Sequence, residues 1–433
     1  VTARKPALAW AELTWRRRQL ATAPVCAALL LSLLSSAPAH AQDAAPPADP
    51  APVGTRQNYF RTPYRAGSFR HMDRIFPFHV VHRAGAVSDL PRDDRQLSEI
   101  TYQWKGTAHT LAQLQQASKT TGFLVIKDGK IVEEQYFGGA NEASTFTSMS
   151  VAKSFTSTLV GLALADGKIK SLDDPITDYL PELKGSGYDG VPIKAILQMS
   201  SGVNFTERYV LGHPSDMDSM FLRGMMDESE RLNDYLKGLT RTLPPGTKFA
   251  YKGADTQALG WLVRRVTGES LADYLAEKIW QPMGMERDAF WNTDAPGPGG
   301  MEAAFTCLNA TLRDFGRFGL MFLNHGRLNG KQIVPADWVE RATTPDGPQV
   351  QPGKLVKGSL LGYGYQWWTF PDDGAYSAEG IYFQFIFVNP KENLVIVKTS
   401  AYDRAWDPDM EGQIYAAYWA IAAALRDTPA AAK

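Results

Sequence analysis

Gly122-Phe-Leu-Val-Ile-Lys-Asp128-Gly129-Lys-Ile-Val-Glu-Glu-Gln-Tyr-Phe137 is two β-rich runs joined by Asp-Gly. The centre of so tight a connection needs positive φ, which Asp-Gly tolerates, so the stretch reads as a hairpin. Near the other end of the chain, Gly380-Ile-Tyr-Phe-Gln-Phe-Ile-Phe-Val388 and Leu394-Val-Ile-Val-Lys-Thr-Ser400 flank a turn at Asn389-Pro390. Between these strand-rich ends the chain is mostly helical in pattern. An apolar-rich helix over 150–165 stops at Asp166-Gly167, and another over 191–199 stops at Ser200-Ser201-Gly202. Helices over 255–266 and 270–279 follow, with Gly268 between them as a stop. A short helix from Leu111 precedes the hairpin, and a C-terminal helix spans about 410–425. Strands at both ends with helices between them imply an α+β (α/β two-lobed) fold. It is one antiparallel sheet flanked by N- and C-terminal helices, with an all-helical lobe over about 150–290 inserted. The active site is expected where the lobes meet. No internal repeat is present.

Outward from that frame, composition narrows the function. The 433 residues carry 45 Lys+Arg against 46 Asp+Glu, which lacks the basic excess of a general nucleic-acid binder. With 44% hydrophobic residues the chain can bury a sizeable core. The two cysteines, Cys26 and Cys307, cannot build a disulfide scaffold or a Cys-based zinc site, and the histidines include no HExxH pair. There is no P-loop and no dinucleotide fingerprint, so no cofactor is expected. No G-x-S-x-G elbow occurs, and no histidine follows His325, which confines any Ser-His-Asp triad to earlier segments.

The first residues read as an address. Arg16-Arg17-Arg18 precedes an uncharged stretch holding Ala27-Ala-Leu-Leu-Leu-Ser-Leu-Leu34, and Ala39-His40-Ala41 then supplies small residues at a signal-peptidase site. Residues 1–41 are therefore expected to be a cleaved secretory signal, which makes the protein exported, periplasmic or secreted. An uncleaved anchor is the alternative, against which Pro24 and the cleavage site weigh. Arg17-Arg18-Gln19-Leu20 hints at twin-arginine export. Cleavage removes Arg4, Lys5, Arg16, Arg17, Arg18 and Glu12, leaving a more acidic chain whose single cysteine is Cys307. Its neighbours Phe305 and Leu308 suggest a buried thiol rather than a nucleophile. Residues 42–54 are rich in Ala and Pro and read as a disordered linker. Residues 55–110 read as an irregular N-terminal extension wrapped on the body, and 111–430 as the catalytic domain.

The chemistry concentrates in Ser148-Met149-Ser150-Val151-Ala152-Lys153-Ser154. Ser150 opens a predicted helix and Lys153 lies three residues on, so both project from one face a turn apart. A serine hydroxyl is a poor nucleophile until a base takes its proton, and lysine can do so once desolvation lowers its pKa. The helix N-terminus also favours a developing oxyanion, with the Ser150 N–H as one donor. By spacing alone, a capping serine followed by a solvated lysine is the more ordinary explanation of the pattern.

The order of motifs adds to this. Ser150-Val-Ala-Lys-Ser, Asp166-Gly-Lys-Ile-Lys-Ser-Leu-Asp-Asp-Pro, Leu197-Gln-Met-Ser-Ser-Gly, Pro245-Gly-Thr-Lys-Phe-Ala-Tyr251, Leu312-Arg-Asp-Phe-Gly-Arg-Phe-Gly and Gly362-Tyr-Gly-Tyr-Gln-Trp-Trp follow one another in the chain. This series resembles the serine hydrolases of the class C β-lactamase and penicillin-binding-protein superfamily, and most of all its 6-aminohexanoate-dimer hydrolase and esterase branch. The likeness runs from about Thr120 to Leu425. It implies a β-lactamase/transpeptidase-like fold with Ser150 as nucleophile and Lys153 as base. The family's second motif, Tyr-x-Asn or Tyr-x-Ser, reads here Tyr251-Lys252-Gly253. The resemblance makes Tyr251 a proton relay, while Gly253 removes a side chain that normally holds the lysine or substrate amide. The third motif, Lys-Thr-Gly or His-x-Gly, reads Ala378-Glu379-Gly380. Gly380 would let substrate approach the strand edge and the Ile381 N–H would be the second oxyanion donor, but the cation that meets a β-lactam or peptide carboxylate is missing. In the aminohexanoate hydrolases a Glu-x-Tyr segment borders the cleft with an acidic residue nearby, which carries substrate-binding roles to Glu207, Tyr209 and Asp216. The alternative for these three is a solvated acidic loop with one packed tyrosine. Of the adjacent Trp367 and Trp368, at most one walls the cleft, because neighbours on a strand face opposite sides.

The expected function is therefore cleavage of a small ester or amide through a Ser150 acyl-enzyme. Its partner is a small-molecule substrate, with no nucleic acid and no stable membrane insertion after signal cleavage. The alternatives are a β-lactamase or D,D-peptidase, or a non-catalytic peptidoglycan-binding sensor on the same scaffold. Ala378 and Gly253 are the substitutions a sensor would show.

Overall fold

A computed structural model describes residues 51–209, 213–356, 359–371 and 373–426. The expected signal at 1–41 and most of the linker at 42–54 lie outside these residues. The main sheet has seven strands: β1 (Thr120–Lys127), β2 (Lys130–Tyr136), β3 (Gly362–Tyr363), β4 (Trp368–Thr369), β5 (Tyr376–Gly380), β6 (Gln384–Asn389) and β7 (Leu394–Ser400). They run in the order β3-β4-β5-β6-β7-β1-β2, antiparallel throughout. The two ends of the sequence thus meet at β7 against β1, where Val395 faces Ile126 and Val397 faces Leu124. The hairpin turns at Asp128 and Gly129, with φ of 52° and 74°. Both central residues are left-handed, the conformation that matches strand twist in a two-residue connection.

Alternation along the strands gives the sheet two apolar faces. Phe123, Val125, Phe385, Phe387, Leu394 and Ile396 pack against α1 (Leu111–Ala117) and α5 (Pro408–Arg426), through Leu111, Leu114, Ile414, Tyr418 and Ile421. α1 starts on a capping box, in which the Thr110 hydroxyl accepts the Gln113 N–H and the Gln113 side chain accepts the Thr110 N–H. Leu124, Ile126, Ile386, Val395 and Val397 line the other face and share one core with the helical lobe.

That lobe is built round α2 (Ala152–Ala165), which is buried from Ala152 to Ala163. Phe155 stacks on Phe318 of α4 (Leu312–Leu323), ring centroids 3.7 Å apart; a ring so enclosed contributes about 1.5–3 kcal/mol. The hydroxyls of Ser154, Thr156 and Ser157 donate to the carbonyls of Gln366, Ala304 and Tyr365, each at 2.7 Å, so its polar side chains are satisfied. α3 (Gly253–Thr267) packs beside it and ends at Gly268 with φ 77°, the left-handed stop expected from sequence. Among the described residues no strand lies between Thr147 and Ala289, in keeping with an inserted helical lobe. The helix expected over 191–199 is confined to Ile193–Leu197.

Three local readings differ from the sequence expectation. The run 380–388 is not one strand: Tyr382 and Phe383 take φ of 62° and 67°, so the chain turns there and returns as β6. There is also a second, four-stranded sheet, ordered Phe78–Val81, Ala289–Asn292, Leu308–Thr311, Thr145–Thr147. Its strands are three or four residues long, too short for a period to be read from them. Residues 55–110 supply one of these strands, and Phe69, Met72, Ile75 and Phe76 enter the main core, so the extension braces the fold. The end of the expected linker is also held, since the Gly54 N–H donates to Ser68 Oγ at 2.9 Å.

Candidate active site

The strand Thr145–Thr147 delivers the chain to Ser150. Ser148 is pinned to the neighbouring strand by its N–H to the Leu308 carbonyl at 2.7 Å and by its Oγ, which accepts the Leu308 N–H at 3.1 Å. Met149 then takes a left-handed φ of 45°, a sparsely populated conformation for a side-chain-bearing residue, and a 3-10 turn over Met149–Val151 leads into α2. Ser150 therefore lies at the N-terminus of the buried helix, facing the edge of β5.

Lys153 extends from the first turn of α2 to the same point. Its Nζ donates to Ser150 Oγ at 2.8 Å and to the Phe305 carbonyl at 3.1 Å. The side chain is 2% exposed. Burial pushes its pKa down to about 8, with Glu207 and Cys307 pulling the other way, so near neutral pH a usable fraction is a free amine. The pair can thus pass a proton from the serine hydroxyl to the lysine, as general-base activation requires.

Tyr251 completes the group. Lys153 Nζ lies 4.8 Å from the centre of its ring, and Ser150 interacts with its phenol. Burial, then the charge of Glu207, raise the phenol well above its ordinary pKa, so it stays protonated and can donate. Its ring stacks on Trp368 at 5.5 Å and meets Tyr363 edge-on at 6.3 Å. Trp367 is fully buried among Phe318, Phe322 and Tyr376, so only Trp368 can border the cleft. Lys252, next in the chain, turns away into a buried cluster. Its Nζ donates to Ser201 Oγ at 3.3 Å and lies 3.9 Å from Asp255, whose other oxygen accepts from Tyr188 and Ser201.

The second and third motif positions show why they depart from the common pattern. A Cβ added to Gly253 would lie 3.0 Å from Met217 Sδ and 3.2 Å from the Phe305 ring, leaving no room for a longer side chain. A Cβ on Gly380 would lie 2.7 Å from the Ser148 carbonyl and 2.9 Å from the Ser150 nitrogen. Only glycine lets β5 approach that closely, and the approach brings the Gly380–Ile381 backbone beside the Ser150 N–H. Ala378 is buried in the core shared with Ile386 and offers no charge. Glu379 accepts the Tyr415 hydroxyl on both oxygens at 2.9 Å, and burial with the nearby Glu411 raises its pKa well above the carboxylate range.

Glu207 and Tyr209 reach the same region. Glu207 accepts the Gly253 N–H on one oxygen and the Tyr209 hydroxyl on the other. Asp216 does not join them in any recorded contact with Ser150, Lys153 or Tyr251. Its Oδ2 accepts the Thr206 N–H and hydroxyl, each at 2.8 Å, and so braces the loop against a short helix, Asp216–Phe221. Cys307 is buried, unpaired, and its thiol is pushed up to about 11 by burial, which leaves it inert. The Phe305 carbonyl and the Met149 conformation escaped the sequence reading, because backbone groups leave no residue signature. Among the described residues no cluster of three or more His, Cys, Asp or Glu side chains could hold a metal ion, and no helix is long and apolar enough to cross a membrane.

A two-lobed α+β scaffold with a buried Ser-x-x-Lys pair at the lobe junction is that of a hydrolase with the β-lactamase fold. The chain belongs to the Beta-lactamase family, whose model matches residues 103–416. It is 29% identical over 366 residues to the 6-aminohexanoate-dimer hydrolase of Paenarthrobacter ureafaciens, covering 82% of this chain and 89% of that one. A Bacillus anthracis structure assigned as a 6-aminohexanoate-dimer hydrolase superposes with a TM-score of 0.78 at 28% identity, over 89% of this chain and all (100%) of the other. A family VIII carboxylesterase shares the fold at 18% identity and a TM-score of 0.54, over 71% and 96% of the two chains. The resemblance read from the motifs is thus met at the level of family and fold.

Proposed function

We propose that the protein is an exported serine hydrolase that cleaves small esters or linear amides through an acyl-enzyme on Ser150. The observation that carries this is the 2.8 Å contact between Lys153 Nζ and Ser150 Oγ inside a water-poor junction. Lys153 accepts the serine proton as Oγ bonds to the substrate carbonyl carbon. The N–H groups of Ser150 and Ile381 hold the oxyanion, and Tyr251 donates a proton as the bond to the leaving group breaks. Lys153 returns its proton to Tyr251; water then attacks the acyl carbon while Lys153 takes its proton and passes it to Ser150 Oγ as the acyl bond breaks. Esters need less leaving-group protonation than amides, so ester turnover is the easier to detect. Similarity to the aminohexanoate-dimer hydrolases makes linear amides the second substrate class. The lack of a cation at Ala378 supports these over β-lactams and cell-wall peptides, whose carboxylate would go unpaired. Residues 1–41 direct export, and the substrate is a small molecule.

Hydrolysis of p-nitrophenyl butyrate by the protein and by Ser150→Ala tests this. Loss of roughly 1,000-fold or more in the variant is expected. Turnover that survives the substitution would overturn Ser150 as the nucleophile.

A further inference from the structure

Gly253 marks a position where this chain solves a family problem differently. The family places a polar side chain two residues after the motif tyrosine, but Met217 and Phe305 fill that space here. What faces the vacated position is a carboxylate from another segment. Glu207 accepts the Gly253 N–H, the first of α3, a helix whose preceding residue Lys252 makes no side-chain cap. The other Glu207 oxygen accepts the Tyr209 hydroxyl, so the carboxylate is fixed at both ends. An acid at a helix N-terminus satisfies an orphan donor and matches the helix dipole. Tyr251 is two residues upstream of that cap, so whatever holds Gly253 also holds the backbone that carries the phenol.

We propose that Glu207 is a positioning residue of the catalytic centre: it clamps the start of α3 behind Tyr251 and keeps a negative charge beside Lys153 and Tyr251, so that Tyr251 is held in place as a protonated phenol and Lys153 is kept the stronger base. This rests on the Ser150–Lys153–Tyr251 reading above. Among the described residues, the groups around Lys153 leave Glu207 as the one carboxylate that acts on it. Ser150, the Phe305 carbonyl and the Tyr251 ring face Lys153 directly, and the buried Cys307 thiol is neutral over the working range. Tyr251 feels Glu207 ahead of Glu379, whose carboxyl is held by Tyr415 and kept protonated by burial and by Glu411. Tyr209 and Tyr363 also sense Glu207, and both are phenols raised well above their usual range.

The sign of the effect is fixed. A nearby anion favours protonated lysine and disfavours phenolate, so Glu207 raises both groups. Removing its charge lets Lys153 become a free amine at lower pH, and the acidic limb of Ser150 reactivity moves down.

The test is the rate of Ser150 phosphonylation by a neutral fluorophosphonate, followed by mass spectrometry from about pH 5 to about pH 10. A neutral probe has no ammonium for Glu207 to bind, so a lost substrate contact does not enter. Glu207→Gln keeps an amide oxygen for the Gly253 N–H and removes the charge, while its NH2 donates to the Tyr209 hydroxyl in place of the oxygen that accepted from it. Its pH 6 to pH 9 rate ratio is expected to rise roughly 3- to 10-fold, with Tm close to that of the parent. Glu207→Ala should show the same displacement with a lower Tm, because the clamp is lost as well. A Glu207→Gln profile that superimposes on the parent would overturn the proposal. Failure of the parent to label at Ser150 would instead overturn the nucleophile assignment beneath it.

Discussion

Lys153 and Lys398 are both removed from water, 2% and 1% exposed, and burial pushes their pKa values down to about 8 and about 7. They stand on opposite faces of the main sheet. Lys153 projects from α2 at the lobe junction, where it meets the Ser150 hydroxyl and the Phe305 carbonyl. Lys398 is on β7 between Phe385 and Phe123, on the face covered by α5, and its Nζ has no hydrogen-bond partner. By titration alone the second is the more perturbed, yet its neighbours across the sheet are phenylalanines. A displaced lysine pKa therefore does not by itself mark a catalytic site. What separates the two is the set of groups that the amine touches, and that set is supplied by α2, the turn at Ser148–Ser150 and the Phe305 backbone.

Replacing Lys153 gives the sharpest contrast. Lys153→Met keeps the length and apolar stem but removes the base, and kcat/KM for an activated ester is expected to fall roughly 100- to 10,000-fold. Circular dichroism and Tm check that the loss is chemical, since methionine suits a buried site. If Lys153→Met turns over like the parent, the comparison between the two lysines collapses, because neither amine would then do chemistry.

A smaller loss is expected at the strand that faces the nucleophile. Gly380→Ala places a methyl group against the Ser148 carbonyl and the Ser150 nitrogen, at 2.7 and 2.9 Å before any relaxation. Both contacts are to backbone, so β5 has to retreat and the Ile381 N–H with it. Loss of one oxyanion donor costs about 100-fold in kcat, and steady-state kinetics should show the fall in kcat rather than in KM alone. An unchanged kcat would mean that the β5 edge does not hold the oxyanion.

How far these features could be read in advance depends on the kind of signal each leaves. The β1–β2 hairpin was legible because Asp128-Gly129 is a turn whose backbone demands those residues. Ser150 and Lys153 were legible because helix geometry fixes what i and i+3 share, and because the other motifs followed in order. The run from Gly380 to Val388 was misread as one strand, since a turn made by Tyr382 and Phe383 uses residues that ordinarily avoid positive φ. The four-stranded sheet leaves no such signal, because strands of three and four residues are too short for a period to stand out. The Phe305 carbonyl and the clamp from Glu207 to Gly253 depend on segments that only the fold brings together. No spacing in the chain encodes them.

Lys398 turns the comparison into a stability measurement. Its unfolded-state pKa is near the reference of about 10.4, and its folded value is about 7, so between these the unfolded chain binds the proton that the folded one has released. Unfolding then takes up a proton, and stability rises with pH across that window; below pH 7 the amine must either carry a charge inside the apolar layer or drive local opening. Lys398→Met removes this dependence and fills the same space with thioether. Chemical denaturation should show the variant more stable than the parent by on the order of 1–4 kcal/mol at pH 7, with the gap narrowing towards pH 10. Hydrolytic turnover should be untouched, because the main sheet lies between Lys398 and Ser150. A parent and variant with parallel stability profiles would mean that the Lys398 amine finds water or a partner in solution, and the apolar layer beneath α5 would then be looser than the one around Lys153.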